Sequence, residues 1–141
     1  MLLGARRGVA PWPPVLIVCG PGFATAAHRH HCVQLLMALR GSLRVRGGRN
    51  GTWRKCGAVW VRPDAVHQMD GRGSSLLIGF VSAESDMGAE ISARIEGEIA
   101  VVPAKQVACW RAVLGASPDV ARAERWLSKT LMPRRRHGAR Q

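Results

Sequence analysis

Four side chains of this 141-residue sequence could do chemistry together: His28, His30, Gln34 and His67. Three of the five histidines fall within "HRHH", at 28, 30 and 31, just ahead of the apolar run "CVQLLMALRG". In a strand, side chains alternate between faces. His28, His30, Cys32 and Gln34 would then share one face, and Val33, Leu35 and Met37 the other. Two imidazoles two residues apart, with a carboxamide four residues on, can converge on one point. Neutral imidazoles ligate zinc, nickel, iron or manganese. They also hydrogen-bond small polar molecules. His67, in a later β-like segment, can supply a third imidazole. Histidine types alone leave two readings open: a metal or ligand site, or hydrogen-bonded residues at the polar edge of a strand.

The elements that must position these groups are strands. From Val15 to about Ser82 the sequence reads as short β segments between turn signals: "VLIVCGPG", "CVQLLMALRGS", "LRVRGGRNG", "TWRKCG", "AVWVRPD", "AVHQMDGRG" and "SSLLIGFVS". Gly-Gly and Asn-Gly in "RGGRNGT" predict a hairpin. No helical pattern interrupts this stretch, which argues for a β-sandwich or barrel. The pattern changes after Glu84. "SDMGAEISARIEGEIAVVP" reads as a short helix and a last strand. "AKQVACWRAVLGA" places Val107, Trp110, Val113 and Leu114 at helical spacing, and "SPDVARAERWLSKTLM" does the same for Val120, Ala123, Trp126, Leu127 and Leu131. Ser117 is the expected N-cap, with Pro118 at the first helical position and Pro133 ending the run. Glu84 and Asp86 are expected at a turn and a helix cap.

Composition narrows the function classes. The chain is 47% hydrophobic, enough for one packed core. It has no apolar stretch long enough for a membrane-spanning helix. "PWPP" interrupts the N-terminal apolar run, so a signal peptide is not expected, and the chain reads as cytoplasmic with no membrane partner. Cys19, Cys32, Cys56 and Cys109 form no C-x-x-C pair and are expected to be reduced. The net charge of +12 invites a nucleic-acid reading. Four arginines, however, lie in the tail "MPRRRHGARQ", and the rest form no stripe. Trp53 and Trp60 are expected in the core or the wall of a pocket rather than as a platform for bases.

The spacing of the histidines carries a family resemblance. Gly22, His28, His30, Gln34 and Gly41 stand at every interval of the first cupin motif, with Gln34 in place of its usual glutamate. In "GAVWVRPDAVHQMD", Gly57, Pro63 and His67 resemble the second motif. Pro63 to His67 is one residue short, Asp64 or Ala65 replaces a common turn glycine, and no asparagine follows. The resemblance covers about residues 15–82. It implies a mainly β fold: a cupin-type β-barrel (a double-stranded β-helix or jelly roll) over 15–103, after an irregular segment at 1–14. One or two C-terminal helices over 104–131 and a basic tail at 132–141 complete the expected organisation.

Finer wording, in "AAHRHHCVQLLMALRGSLRVR", "AVWVRPDAVHQM" and "LLIGFVSAESDMGAEI", resembles the effector-binding domain of AraC-type transcriptional regulators. That resemblance implies a small-molecule effector in the barrel, against His28, His30, Gln34, His67 and Trp60. It also implies a homodimer through the C-terminal helices, since a small barrel cannot readily cover two apolar stripes. "SPDVARAERWLSKTL" looks like the first helix of that family's DNA-binding unit. Only ten residues follow Leu131. The expectation is a sensor domain whose DNA-binding half is missing, with no specific nucleic-acid binding of its own. The alternative is a small metal-dependent cupin enzyme, an oxygenase or isomerase, holding a divalent zinc, nickel, iron or manganese ion on His28, His30 and His67. Gln34 would be a weak fourth donor, because a neutral amide is poorer than a carboxylate. No acid or base beside the histidines supports catalysis.

Overall fold

The computed structural model describes residues 15–131; the irregular segment expected at 1–14 and the basic tail at 132–141 lie outside the described residues. The turn signals translate into β1 (Val15–Pro21), β2 (Cys32–Arg40), β3 (Leu43–Gly47), β4 (Arg54–Cys56), β5 (Ala58–Val61), β6 (His67–Asp70) and β7 (Ser75–Ser82). Then come α1 (Asp86–Arg94), β8 (Ile99–Val101), α2 (Ala104–Leu114) and α3 (Val120–Leu131). All ladders are antiparallel. They form a five-stranded sheet, β1-β7-β2-β5-β8, and a three-stranded sheet, β4-β3-β6. The predicted hairpin joins β3 to β4, and Gly48 within it takes a φ of +71°, open to glycine without strain.

The fold is mainly β and of cupin type, as expected, but the two sheets meet face to face without one ladder running around a closed barrel. Leu36, Val59, Leu76 and Ile78 of the large sheet pack against Leu43, Val45 and Met69 of the small one. The opposite face of the large sheet carries Ile17, Val33, Leu35, Met37, Leu77 and Val81, and all three helices cover it. β2 is therefore apolar on both faces and buried along nearly its whole length. Gln34 is the one polar side chain in its buried stretch.

The C-terminal helices fold back on their own sheet, and two glycines permit the approach. A Cβ on Gly79 would meet Leu127 Cδ2 at 2.8 Å, and one on Gly57 would meet Val107 Cγ1 at 2.8 Å. Arg111 fastens α2 to the end of β2, donating to the carbonyls of Ala38 (2.9 Å) and Gly41 (2.6 Å). Trp110, Leu114, Trp126 and Leu127 are all buried within the one chain. The premise for dimerisation, two uncovered stripes, is thus corrected: of those positions whose side chains are described, Val113 and Val120 are the exposed ones.

Two caps also differ from expectation. Asp119, not Ser117, caps α3, its carboxylate accepting from the Arg122 amide at 2.7 Å; the helix starts at Val120, so Asp119 adjoins its first turn and Pro118 lies before the cap. α1 is capped by Ser85, which accepts from Gly88 N at 2.9 Å, while Asp86 sits in the first turn.

Candidate functional site

His28 and His30 precede β2 rather than belonging to it. Their segment crosses to the small sheet, where His28 and His67 exchange both backbone hydrogen bonds at 2.9 Å. His30 is fixed by its carbonyl, which accepts from the Asp64 amide at 2.7 Å. Asp64 occupies the place where the motif often has glycine, and it takes a φ of +65°. Aspartate tolerates that left-handed conformation better than most side chains. The shortened turn from Pro63 thus still delivers His67 to the site.

The three imidazoles converge. Ring centres lie 4.7 Å apart for His28 and His30, 4.4 Å for His28 and His67, and 6.1 Å for His30 and His67. With Gln34 they line a cavity of about 390 Å³ between the sheets, together with Phe23, Thr25, Leu36, Met69, Ile78 and Phe80. Among the described residues, no lysine, arginine, aspartate or glutamate lines it. Phe80 lies opposite Gln34 in the β2–β7 ladder and stands edge-on to His30 at 5.7 Å. Phe23, Met69 and Phe80 were not foreseen; alternation along β7 pairs Ile78 with Phe80, but only the register places that face against Gln34.

Trp60 is corrected. It lies opposite Leu35, so its indole points to the helix side and meets Trp110 edge-on at 6.4 Å. Trp110 in turn meets Trp126 at 5.3 Å. Trp53 is neither core nor pocket wall: Arg44 and Arg46 stack over its ring, at 5.4 and 4.9 Å from its centre. Cys32 is half-buried outside the cavity, and burial raises its thiol pKa.

Hydrogen bonding sets the tautomers of two rings. His28 Nδ1–H donates to the Ala26 carbonyl and His67 Nδ1–H to that of Ala65, each at 2.9 Å. A carbonyl only accepts, so each neutral ring keeps a free lone pair on Nε2. Burial pushes the pKa of His67 down, assisted by His28 and His30 and opposed by the Ala65 carbonyl; burial, then His28, lowers that of His30. His67 is 1% exposed and Gln34 is 4% exposed. His67 Nε2 and Gln34 Oε1 are both buried with no hydrogen-bond partner.

His31 points elsewhere. Its Nδ1 meets Asp64 at 2.9 Å and its Nε2 meets Glu84 at 3.0 Å, so it clasps two turns at the surface. Those carboxylates, Glu84 first, raise its pKa. Among the described residues, no three histidine, cysteine, aspartate or glutamate side chains are arranged to hold a metal ion. Rings sharing a zinc at ~2.0 Å have centres about 5 Å apart. The His30–His67 pair is wider than that, so the rings as placed do not make a finished ligand set.

No protein-family model matches the chain, and no curated protein matches it. Solved structures do. A variant of apo ToxT from Vibrio cholerae aligns with a TM-score of 0.50 at 5% identity, covering 84% of this chain and 54% of that one. ToxT with bound unsaturated fatty acid aligns at 0.42 and 8% identity, over 82% of this chain and 50% of that one. A Cupin 2 conserved barrel domain protein from Salinispora arenicola aligns at 0.40 and 17% identity, over 60% of this chain and 78% of that one. At these identities the likeness concerns the fold alone. The chain spans about half the length of ToxT.

Proposed function

We propose that this chain is the small-molecule-sensing module of an AraC-type transcriptional regulator, and that the effector sits between the sheets against His28, His30, Gln34 and His67. One observation carries the reading: an apolar cavity of about 390 Å³ lined by Gln34 and His67, each with a buried acceptor that has no partner. Such a cavity has the size and chemistry of a small-molecule site. The fold it shares with ToxT, an AraC-family regulator, supports the same reading. Among the described residues, the cavity holds no carboxylic acid, thiol or hydroxyl nucleophile paired with a base, which favours binding over catalysis. α2 and α3 are occupied in covering their own sheet, so the described residues leave no helix pair free to enter a major groove. The described residues therefore offer no helix-turn-helix to an operator. Self-association now rests on the exposed Leu16, Val18, Val113 and Val120 rather than on the helix stripes. The test is calorimetric screening of small molecules with the purified chain, repeated with His67→Phe. Hits that bind both proteins equally refute the placement.

A divalent ion on His28, His30 and His67 is the second reading. What favours it is the anchoring of two Nδ1–H groups to carbonyls, which is how metal-ligating imidazoles are oriented. What weighs against it is the neutral Gln34 and the spread of the rings. Gln34→Glu would supply the missing anion. Metal content of the purified protein, and zinc titration of both forms, tests the reading: no zinc taken up by either form removes it.

A further inference from the structure

The unpaired acceptors constrain what can fill the cavity. Gln34 on the large sheet and His67 on the small sheet line the same cavity from opposite walls, and Gln34 Oε1 and His67 Nε2 are buried there without partners. A buried acceptor left unpaired costs free energy that a bound donor recovers. The Ala65 carbonyl holds the His67 proton on Nδ1, so Nε2 can only accept. Phe23, Ile78 and Phe80 offer the rest of the occupant an apolar surface. Among the described residues, no lysine or arginine lines the cavity to meet a carboxylate, and no aspartate or glutamate lines it to meet an ammonium group. A charge there would be desolvated without a counter-charge.

We propose that the effector is a neutral molecule with an apolar body and paired hydroxyl or N–H donors, which it gives to Gln34 Oε1 and His67 Nε2. The proposal rests on the sensing reading and adds the ligand class to it. It separates the chain from a carboxylate sensor, since a carboxylate has no N–H or O–H to give to Gln34 Oε1 or His67 Nε2.

Three probes of one ring system test it, with EDTA present so that chelation of metal plays no part: 2,3-dihydroxynaphthalene, its dimethyl ether and 2-naphthoate. Calorimetry should show the diol binding at least about tenfold more tightly than the ether or the carboxylate. In Gln34→Leu the preference for the diol over the ether should fall about tenfold, with circular dichroism reporting that the variant is folded. An ether or carboxylate that binds as tightly as the diol overturns the ligand class and leaves the sensing reading standing. A diol preference unchanged in Gln34→Leu overturns the role of Gln34. Failure of all three probes to bind the wild-type chain overturns the class and counts against the sensing reading as well.

Discussion

Replacing Gln34 with leucine should stabilise the protein, though the residue stands at the centre of the proposed site. Gln34 is 4% exposed, and its Oε1 has no partner. A buried polar atom in that state costs about 1–3 kcal/mol. Leucine has nearly the same volume and would face Leu36, Ile78 and Phe80, so neither a cavity nor a clash opposes the change. After an allowance for imperfect repacking, a net gain of about 1–2 kcal/mol remains. At about 4 °C per kcal/mol for a domain of this size, Tm should rise by about 4–8 °C. Differential scanning calorimetry reads the shift, and urea titration should show a higher midpoint at unchanged slope. A lowered Tm at unchanged slope would mean that the carboxamide is hydrogen-bonded in solution, for instance by an ordered water. The argument from an unpaired acceptor would then fail for Gln34. The expected outcome, stability gained as ligand recognition is lost, is the usual trade at a binding site.

The other predictions concern charge and packing. Asp70 is pushed down to about 2, first by the side-chain hydrogen bonds from Arg72. A lowered carboxyl pKa contributes stability above the unfolded value of 3.8, and that contribution is lost as pH falls through about 2. Asp70→Asn should therefore lower stability near neutral pH, and a carboxyl NMR titration with a midpoint at the ordinary value would refute the pairing. His31 has a raised pKa, so the stability from its clasp is complete below the unfolded value of 6.5 and is lost as pH rises through the higher folded value. In Glu84→Gln the NMR midpoint of His31 should move down towards 6.5; no movement would mean that Glu84 does not hold the ring. Trp110→Ala removes the middle ring of the Trp60–Trp110–Trp126 stack and should cost about 3–5 kcal/mol in urea unfolding. A cost under ~1 kcal/mol would show that α2 and α3 are not seated on the sheet in solution.

Local rules made much of this protein legible from its residues. Alternation and glycine-rich turns laid out β1 to β7, because both act within a few residues. The intervals linking Gly22, His28, His30, Gln34 and Gly41, and then Gly57, Pro63 and His67, led to one cavity, although His28 and His30 come before β2 and converge by crossing to β6. Asp64 shows how: its left-handed turn makes up for a missing residue, which spacing alone could not reveal.

Tertiary structure decided the rest. Alternation divides β5 into two sets, but both faces of that strand are apolar and covered, so polarity could not say which face Trp60 takes; the pairing with Leu35 sends it to the helices. The stripes on α2 and α3 required burial without naming the surface, and the close approach at Gly79 and Gly57 lets the chain's own sheet supply it. The unpaired state of Gln34 and His67 could be found in no segment. It arises only where two sheets, each satisfied along its own ladder, close over two polar atoms that no neighbour reaches.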